Sequence, residues 1–195
     1  GEHTLHALMK IRANRILRLT MLLHDMGKPE YKTVDVTGQA HFKKHAIGSE
    51  RIAKEILRRL KFDNETIRIV SRLVLYHDYR MPAEQKNVRR AMNKIGEDIF
   101  SYYMEVRRAD VLAQSTYLRE RKLKNLDDIE LLYVEIIEAK QCVSLKDLAV
   151  SGNDLIKMGI KPGREIGEIL NQLLEMVIDN PELNQKEVLL KKVTI

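Results

Sequence analysis

Apolar residues recur along this chain at helical spacing, and no segment shows a convincing strand alternation. From Asn14 to Met26, Ile16, Leu19, Leu22 and Leu23 follow a period of about 3.6, and Gly27 and Pro29 predict the stop, with Gly27 as a left-handed cap. Ile47, Ile52, Ile56 and Leu60 form a second stripe. Asn64 is expected to cap a helix carrying Ile67, Val70 and Val74; after the break at Pro82, Asn87 restarts one through Met92 and Ile95. The polar stretch from Tyr31 to His41, with Gly38, reads as a loop. A long helix is expected from about Asp127 to Lys140, and Ser144 as the cap of a short one. Two helices flank Gly159 and Gly163, and Ile166, Ile169, Leu170, Leu173 and Val177 give the second a core face. Asn184 is expected to cap the last helix. The pattern predicts an all-α fold.

One stripe departs from a simple core. Ile99, Tyr103, Val106, Asp110 and Ala113 are spaced 4, 3, 4, 3 and share a helix face, which puts a carboxylate where an apolar residue belongs. A buried, unpaired carboxylate costs several kcal/mol, on the order of 3 or more, so Asp110 needs a cation or several donors. A metal, an arginine or a helix N-terminus would each serve.

The histidines are segregated: all six lie between positions 3 and 77. His24 and Asp25 close an apolar helix just before Gly27, Lys28 and Pro29. Adjacent helical residues diverge by about 100°, so this pair reaches one ion only beyond the helix end. His45 opens a helix and His77 closes one. His6 and His41 read as ordinary surface residues. Imidazole and carboxylate together suit divalent ions such as Mn, Co, Ni, Fe, Zn or Mg.

Size and composition narrow the setting. With 195 residues, 44% apolar and 32% charged, the chain can fold as one or two globular domains. One cysteine, Cys142, excludes an internal disulfide and a multi-cysteine zinc site, and favours a reducing, cytoplasmic location. No apolar run is long enough to span a bilayer. The net charge of +6, with the densest basic run from Arg119 to Lys124, favours a nucleotide or RNA partner, although single basic pairs are commonly solvated helix faces.

In order, His3-Thr4-Leu5, Leu22 to Pro29, Phe42 to His45, Tyr76-His77-Asp78 and Ala109-Asp110 resemble an HD domain, specifically that of bacterial tRNA nucleotidyltransferases (CCA-adding enzymes) and poly(A) polymerases. Ser151 to Leu155, Gly159 to Gly163 and Ile166-Gly167 resemble the carboxy-terminal RNA-binding region of the same family. The resemblance implies an HD domain over 1–118 and an RNA-binding-like helical region over 119–195. It implies His3, His24, Asp25 and Asp110 as metal ligands, and Asp25, Lys28, His45 and His77 as catalytic or substrate contacts. Lys44 stands where the family often has glycine. No Gly-Ser followed by paired carboxylates is present, as the nucleotidyltransferase head would require. The expectation is a fragment without that head or a stand-alone relative, unable to add nucleotides by itself.

Two functions follow. The first is a metal-dependent phosphohydrolase, a phosphatase or cyclic phosphodiesterase acting on nucleotides or RNA ends. The alternative is a non-catalytic tRNA-binding portion of a nucleotidyltransferase or polymerase, gripping phosphates through Lys161, Gly163 and Arg164. A third, a nucleotide-sensing or purely structural protein with a vestigial His–Asp set, is disfavoured because every proposed ligand is intact.

Overall fold

The computed structural model describes residues 2–193. Among them the chain is all-α apart from one short hairpin. In order it forms α1 (Glu2–Lys10), α2 (Arg15–Leu23), β1 (Thr33–Val34), β2 (Ala40–His41), α3 (His45–Arg59), α4 (Asn64–Tyr76), α5 (Gln85–Ile95), α6 (Phe100–Ala113), α7 (Arg119–Glu138), α8 (Gly152–Lys157), α9 (Arg164–Asp179) and α10 (Lys186–Leu190).

The chain groups into two compact units. The first runs to Arg80 and resumes over Asp98–Asp128; the second holds Met81–Glu97 and begins again at Ile129. In the first unit, α1, α2 and α6 close on a core of Ala7, Ile11, Leu17, Met21, Val106 and Ala109. The other side of α2 meets α3 and α4 through Leu23, Ala53, Leu57, Ile67, Val70 and Val74. Helix α2 is thus sandwiched, and its carboxy-terminal end is fixed from both sides. In the second unit, α8, α9 and α10 pack around Cys142, Val150, Leu155, Leu173, Leu174, Val177, Ile178 and Leu189. Helix α5 joins this unit through Arg89. Its buried guanidinium donates from Nε to the Ile178 carbonyl (2.8 Å) and from Nη1 to the Gln141 side chain (2.9 Å). A cation there also meets the negative end of the α9 dipole.

Several boundaries differ from the sequence expectation, each for a local reason. Gly27 is right-handed, with φ −78° and ψ −14°, so a left-handed cap is not why it is glycine. Asp63, not Asn64, caps α4, accepting from the Thr66 amide at 2.8 Å and the Thr66 hydroxyl at 2.7 Å. Helix α5 starts two residues before Asn87. The basic run 119–124 forms the first turns of α7, whereas the helix was expected only from about Asp127. Ser144 precedes a short 3-10 turn, Leu145–Asp147. Asn184 does not cap α10; it bridges from the Ala149 amide (2.8 Å) to the Asp147 carbonyl (2.9 Å). The loop from Tyr31 to His41 contains the hairpin because Asp35 organises its turn, accepting from Thr37 and Gln39 amides at 2.8 and 3.1 Å. Gly38 supplies the left-handed φ of 83°.

Two buried faces also differ in detail from the apolar periodicity. Leu22 is 51% exposed, and the buried face of α2 carries Leu17, Thr20, Met21 and Leu23. In α3, Ile47 and Leu60 are exposed, and the face toward the core is Gly48, Ser49, Ala53 and Leu57. Small residues occupy this face because α3 approaches the 25–28 turn at backbone contact distance.

Candidate metal centre

The cluster is built from helix ends of the first unit. His24 is the residue after α2, His45 the first of α3, and His77 the residue after α4. Each aims its ring by the same local device: Nδ1 lies at 2.7 Å from the Met21 carbonyl for His24, 2.8 Å from Phe42 for His45 and 2.7 Å from Val74 for His77. A carbonyl only accepts, so each Nδ1 carries the proton. In the neutral ring Nε2 is then a bare lone pair. His3, on α1, makes a longer contact of 3.4 Å from Nδ1 to the Ala113 carbonyl.

The Nε2 atoms converge. His45 and His77 stand 3.1 Å apart, and His3 and His24 stand 3.3 Å apart. Two lone pairs at such distances repel unless a positive charge lies with them. Asp25 stands between the pairs. Its Oδ2 is 3.3 Å from His24 and 3.7 Å from His3, and its Oδ1 is 3.3 Å from His45 and 3.6 Å from His77. Asp110 completes the first group, with Oδ1 at 3.0 Å from His3 Nε2 and 3.7 Å from His24 Nε2. Lys28 Nζ donates to Asp25 Oδ2 at 2.6 Å.

The electrostatics agree with a cation-seeking cluster. Burial pushes the Asp25 carboxyl up, but hydrogen bonds from His24, His45 and His77 outweigh it and hold the group far below the usual carboxylate range. Burial acts likewise on Asp110, and the His3 hydrogen bond with the charges of His24, His77 and Arg107 brings it down. His3 and His45 are raised, by hydrogen bonds to Asp110 and Asp25 respectively. The group therefore favours a proton or another cation, and two imidazoles with each carboxylate is a donor set that fits a divalent ion. His3, His24 and Asp25 offer one such ligand group, and Asp25, His45 and His77 a second sharing the same aspartate.

Three supporting residues were not singled out by sequence reasoning. Gln114 donates from Nε2 to Asp110 Oδ2 at 2.7 Å, turning Oδ1 toward His3. Arg107, buried, donates from Nη1 to the His77 carbonyl at 2.9 Å and lies 3.6 Å from Asp110 Oδ2. Arg107 sits on α6 at i−3 from Asp110 and Gln114 just after the helix at i+4, and that spacing is the signal that could have found them. Ser49 accepts from the Gly27 amide at 2.9 Å and fixes the 25–28 turn on α3.

A cleft of about 780 Å³ opens onto the cluster, lined by His3, Asp25, Lys28, His45, His77 and Asp110 among others. His41 lies on its wall, where its Nε2 is 2.7 Å from Asp35 Oδ2. His6 is exposed and Asp78 pairs with Arg80, so neither joins the cluster. Lys161, Gly163 and Arg164 lie in the second unit, all exposed, at the start of α9; Arg164 Nε bonds Glu168 at 2.7 Å.

An all-α fold carrying a buried His–Asp cluster is thus the class of protein at hand. The family pattern of tRNA nucleotidyltransferase domain 2 matches residues 42–193, and the chain belongs to the tRNA nucleotidyltransferase family. It is 28% identical over 189 residues to an A-adding tRNA nucleotidyltransferase of Deinococcus radiodurans, covering 90% of this chain and 41% of that protein. It is 31% identical over 186 residues to a CC-adding tRNA nucleotidyltransferase of Thermus thermophilus, covering 89% of this chain and 40% of that protein. The chain therefore spans about two fifths of the length of these relatives. No solved structure matches it significantly. Among the described residues no helix is long and apolar enough to cross a membrane.

Proposed function

We propose that the first unit carries a divalent-metal centre of the HD phosphohydrolase type, acting on a phosphomonoester or cyclic phosphodiester of a nucleotide or RNA end. The observation that carries this reading is the convergence of four imidazole Nε2 atoms on Asp25, three of them with Nδ1 committed to a carbonyl. Metal-ligating histidines characteristically donate their second N–H in this way. His3, His24, Asp25 and Asp110 would hold the ion, and His45 and His77 would act from the other side of Asp25. A bound divalent ion lowers the pKa of water and offsets charge on a phosphoryl group.

The chain's own groups supply the rest. Asp25 is held below the usual carboxylate range, whereas the Asp25 hydrogen bond raises His45, so His45 Nε2 would be the stronger base of the two. Lys28 and His77 would stabilise charge developing on the phosphate. Gln114 and Arg107 would keep Asp110 and His77 in place. On this reading residues 1–118 form the hydrolase region, 119–195 an RNA-binding-like region, and the protein works in the cytoplasm. Metal content and turnover of 2′,3′-cyclic AMP should be compared for wild type, Asp25→Ala and Asp110→Ala. Both variants should lose metal and activity; variants that keep metal as wild type does would overturn the assignment.

The family membership and the partial span of its relatives favour a second reading equally: a non-catalytic, tRNA-binding portion of a larger enzyme. The relatives are named for action on tRNA. On this reading Lys161, Gly163 and Arg164 contact RNA phosphates, and tRNA binding falls steeply with salt while no ester is hydrolysed. Lys161→Ala with Arg164→Ala should weaken binding and flatten the salt slope; no binding at low salt would eliminate this reading.

A further inference from the structure

The His–Asp cluster accounts for only part of the cleft. Its lining also includes three aromatic residues, Phe42, Tyr76 and Tyr79, and three basic ones, Lys43, Lys44 and Arg80. All lie in the first unit, and none of the six belongs to the proposed ligand set. A volume near 780 Å³ is that of a site for an organic ligand, and a phosphate group alone would fill a small fraction of it.

The aromatics are half-buried and anchored. The Tyr76 and Tyr79 rings meet edge to face, with centroids 6.1 Å apart, and the Arg72 guanidinium lies 5.7 Å from the Tyr76 centroid. The backbone at Tyr79 is held by the Tyr103 hydroxyl, which donates to its carbonyl at 2.8 Å. Phe42 carries the Lys28 ammonium 5.8 Å from its ring centre, so one aromatic stands beside a cation that also touches Asp25. Lys43 and Lys44 are exposed next to it. Pre-set aromatic rings next to lysines are the combination that binds nucleotides with little regard to sequence: rings stack on the base, and ammonium groups meet the phosphate.

We propose that Phe42, Tyr76 and Tyr79 form a nucleobase-stacking wall, with Lys43 and Lys44 as phosphate contacts, so that the cleft selects nucleotides over phosphate esters lacking a base. The proposal rests on the reading of this cleft as a phosphate-ester site, and binding can be measured apart from turnover. Titration calorimetry in excess chelator compares AMP, ribose 5-phosphate and inorganic phosphate on the wild-type chain. AMP should bind roughly tenfold or more tighter than ribose 5-phosphate, the scale of one stacked base. Phe42→Leu/Tyr76→Leu/Tyr79→Leu should erase that preference while keeping the residual phosphate affinity. Equal affinity of wild type for AMP and ribose 5-phosphate overturns the proposal, with no recourse to a variant that fails to fold.

A manganese titration of the same proteins in chelator-free buffer separates the two ideas. Metal binding without base preference leaves the hydrolase reading standing and removes the wall. Base preference without metal binding does the reverse. A phosphate-terminated trinucleotide that binds at least as well as AMP identifies an RNA end as the source of the base, and one that binds more weakly identifies a free nucleotide; either result supports the wall.

Discussion

Gly27 packs directly on the backbone of His45 and its helix: a Cβ at position 27 would overlap the His45 carbonyl oxygen and stand 2.5 Å from the Ser49 amide nitrogen. This contact carries the His24–Lys28 turn onto the start of α3, and so brings Asp25 to His45. Gly27→Ala should destabilise the chain by about 1–3 kcal/mol, the usual cost of overpacking against atoms that cannot yield. It should also weaken divalent-ion binding. Urea unfolding and a manganese titration check both; an unchanged midpoint and affinity would show that the turn can shift.

Arg107 is expected to be a structural clamp for the centre. Replacing it by Met strands the His77 carbonyl in a buried setting and should cost about 2 kcal/mol. Metal affinity should fall with it, because His77 and Asp110 lose the side chain that holds them in place. Arg107→Lys should recover part of the stability and less of the affinity, since the rigid planar guanidinium is oriented more firmly than a flexible ammonium. Equal behaviour of Met and Lys variants would speak against the clamp.

Burial pushes the Cys142 thiol up to about 11 and leaves the residue 2% exposed. The thiolate is the reactive form. At pH 8 a thiol-specific reagent should label the native chain on the order of 100-fold more slowly than the urea-unfolded one. Fast native labelling would mean that the second unit opens readily.

Asp154 gives a pH signature in the second unit. Hydrogen bonds from Lys186 first, then from the Ser151 hydroxyl and amide, hold its carboxyl well below the usual value. The folded value lies below the unfolded one, so the stabilisation is complete above about pH 4 and is lost as pH falls toward the folded value. Wild type should therefore exceed Asp154→Asn in urea midpoint at pH 6, and the gap should narrow progressively as pH falls below about 4. A constant gap would assign the effect to packing.

The helical architecture, the all-α class and the composition of the cluster were legible in the residue order. Apolar periodicity is a local property, and His24, His45 and His77 sit at helix ends that their own neighbours specify, each with its ring tied to a carbonyl three residues earlier. Asp110 was legible for a related reason, as a carboxylate on an apolar stripe. Some local features were missed because several side chains competed for one role: Asp63 outcompeted Asn64 as a cap, and Asp35 turned an apparent loop into a hairpin.

Distance, by contrast, comes from packing. His3 and Asp110 are 107 residues apart in the chain and 3.0 Å apart in space. Gly27 is glycine because α3 lies against it, a constraint that periodicity cannot carry. Asp25 faces two pairs of imidazoles, one through each oxygen, because α2 is gripped between α6 and the α3–α4 pair. Local sequence chooses which groups can bind a cation, but bringing lone pairs together against their repulsion takes the packing of a whole helical core.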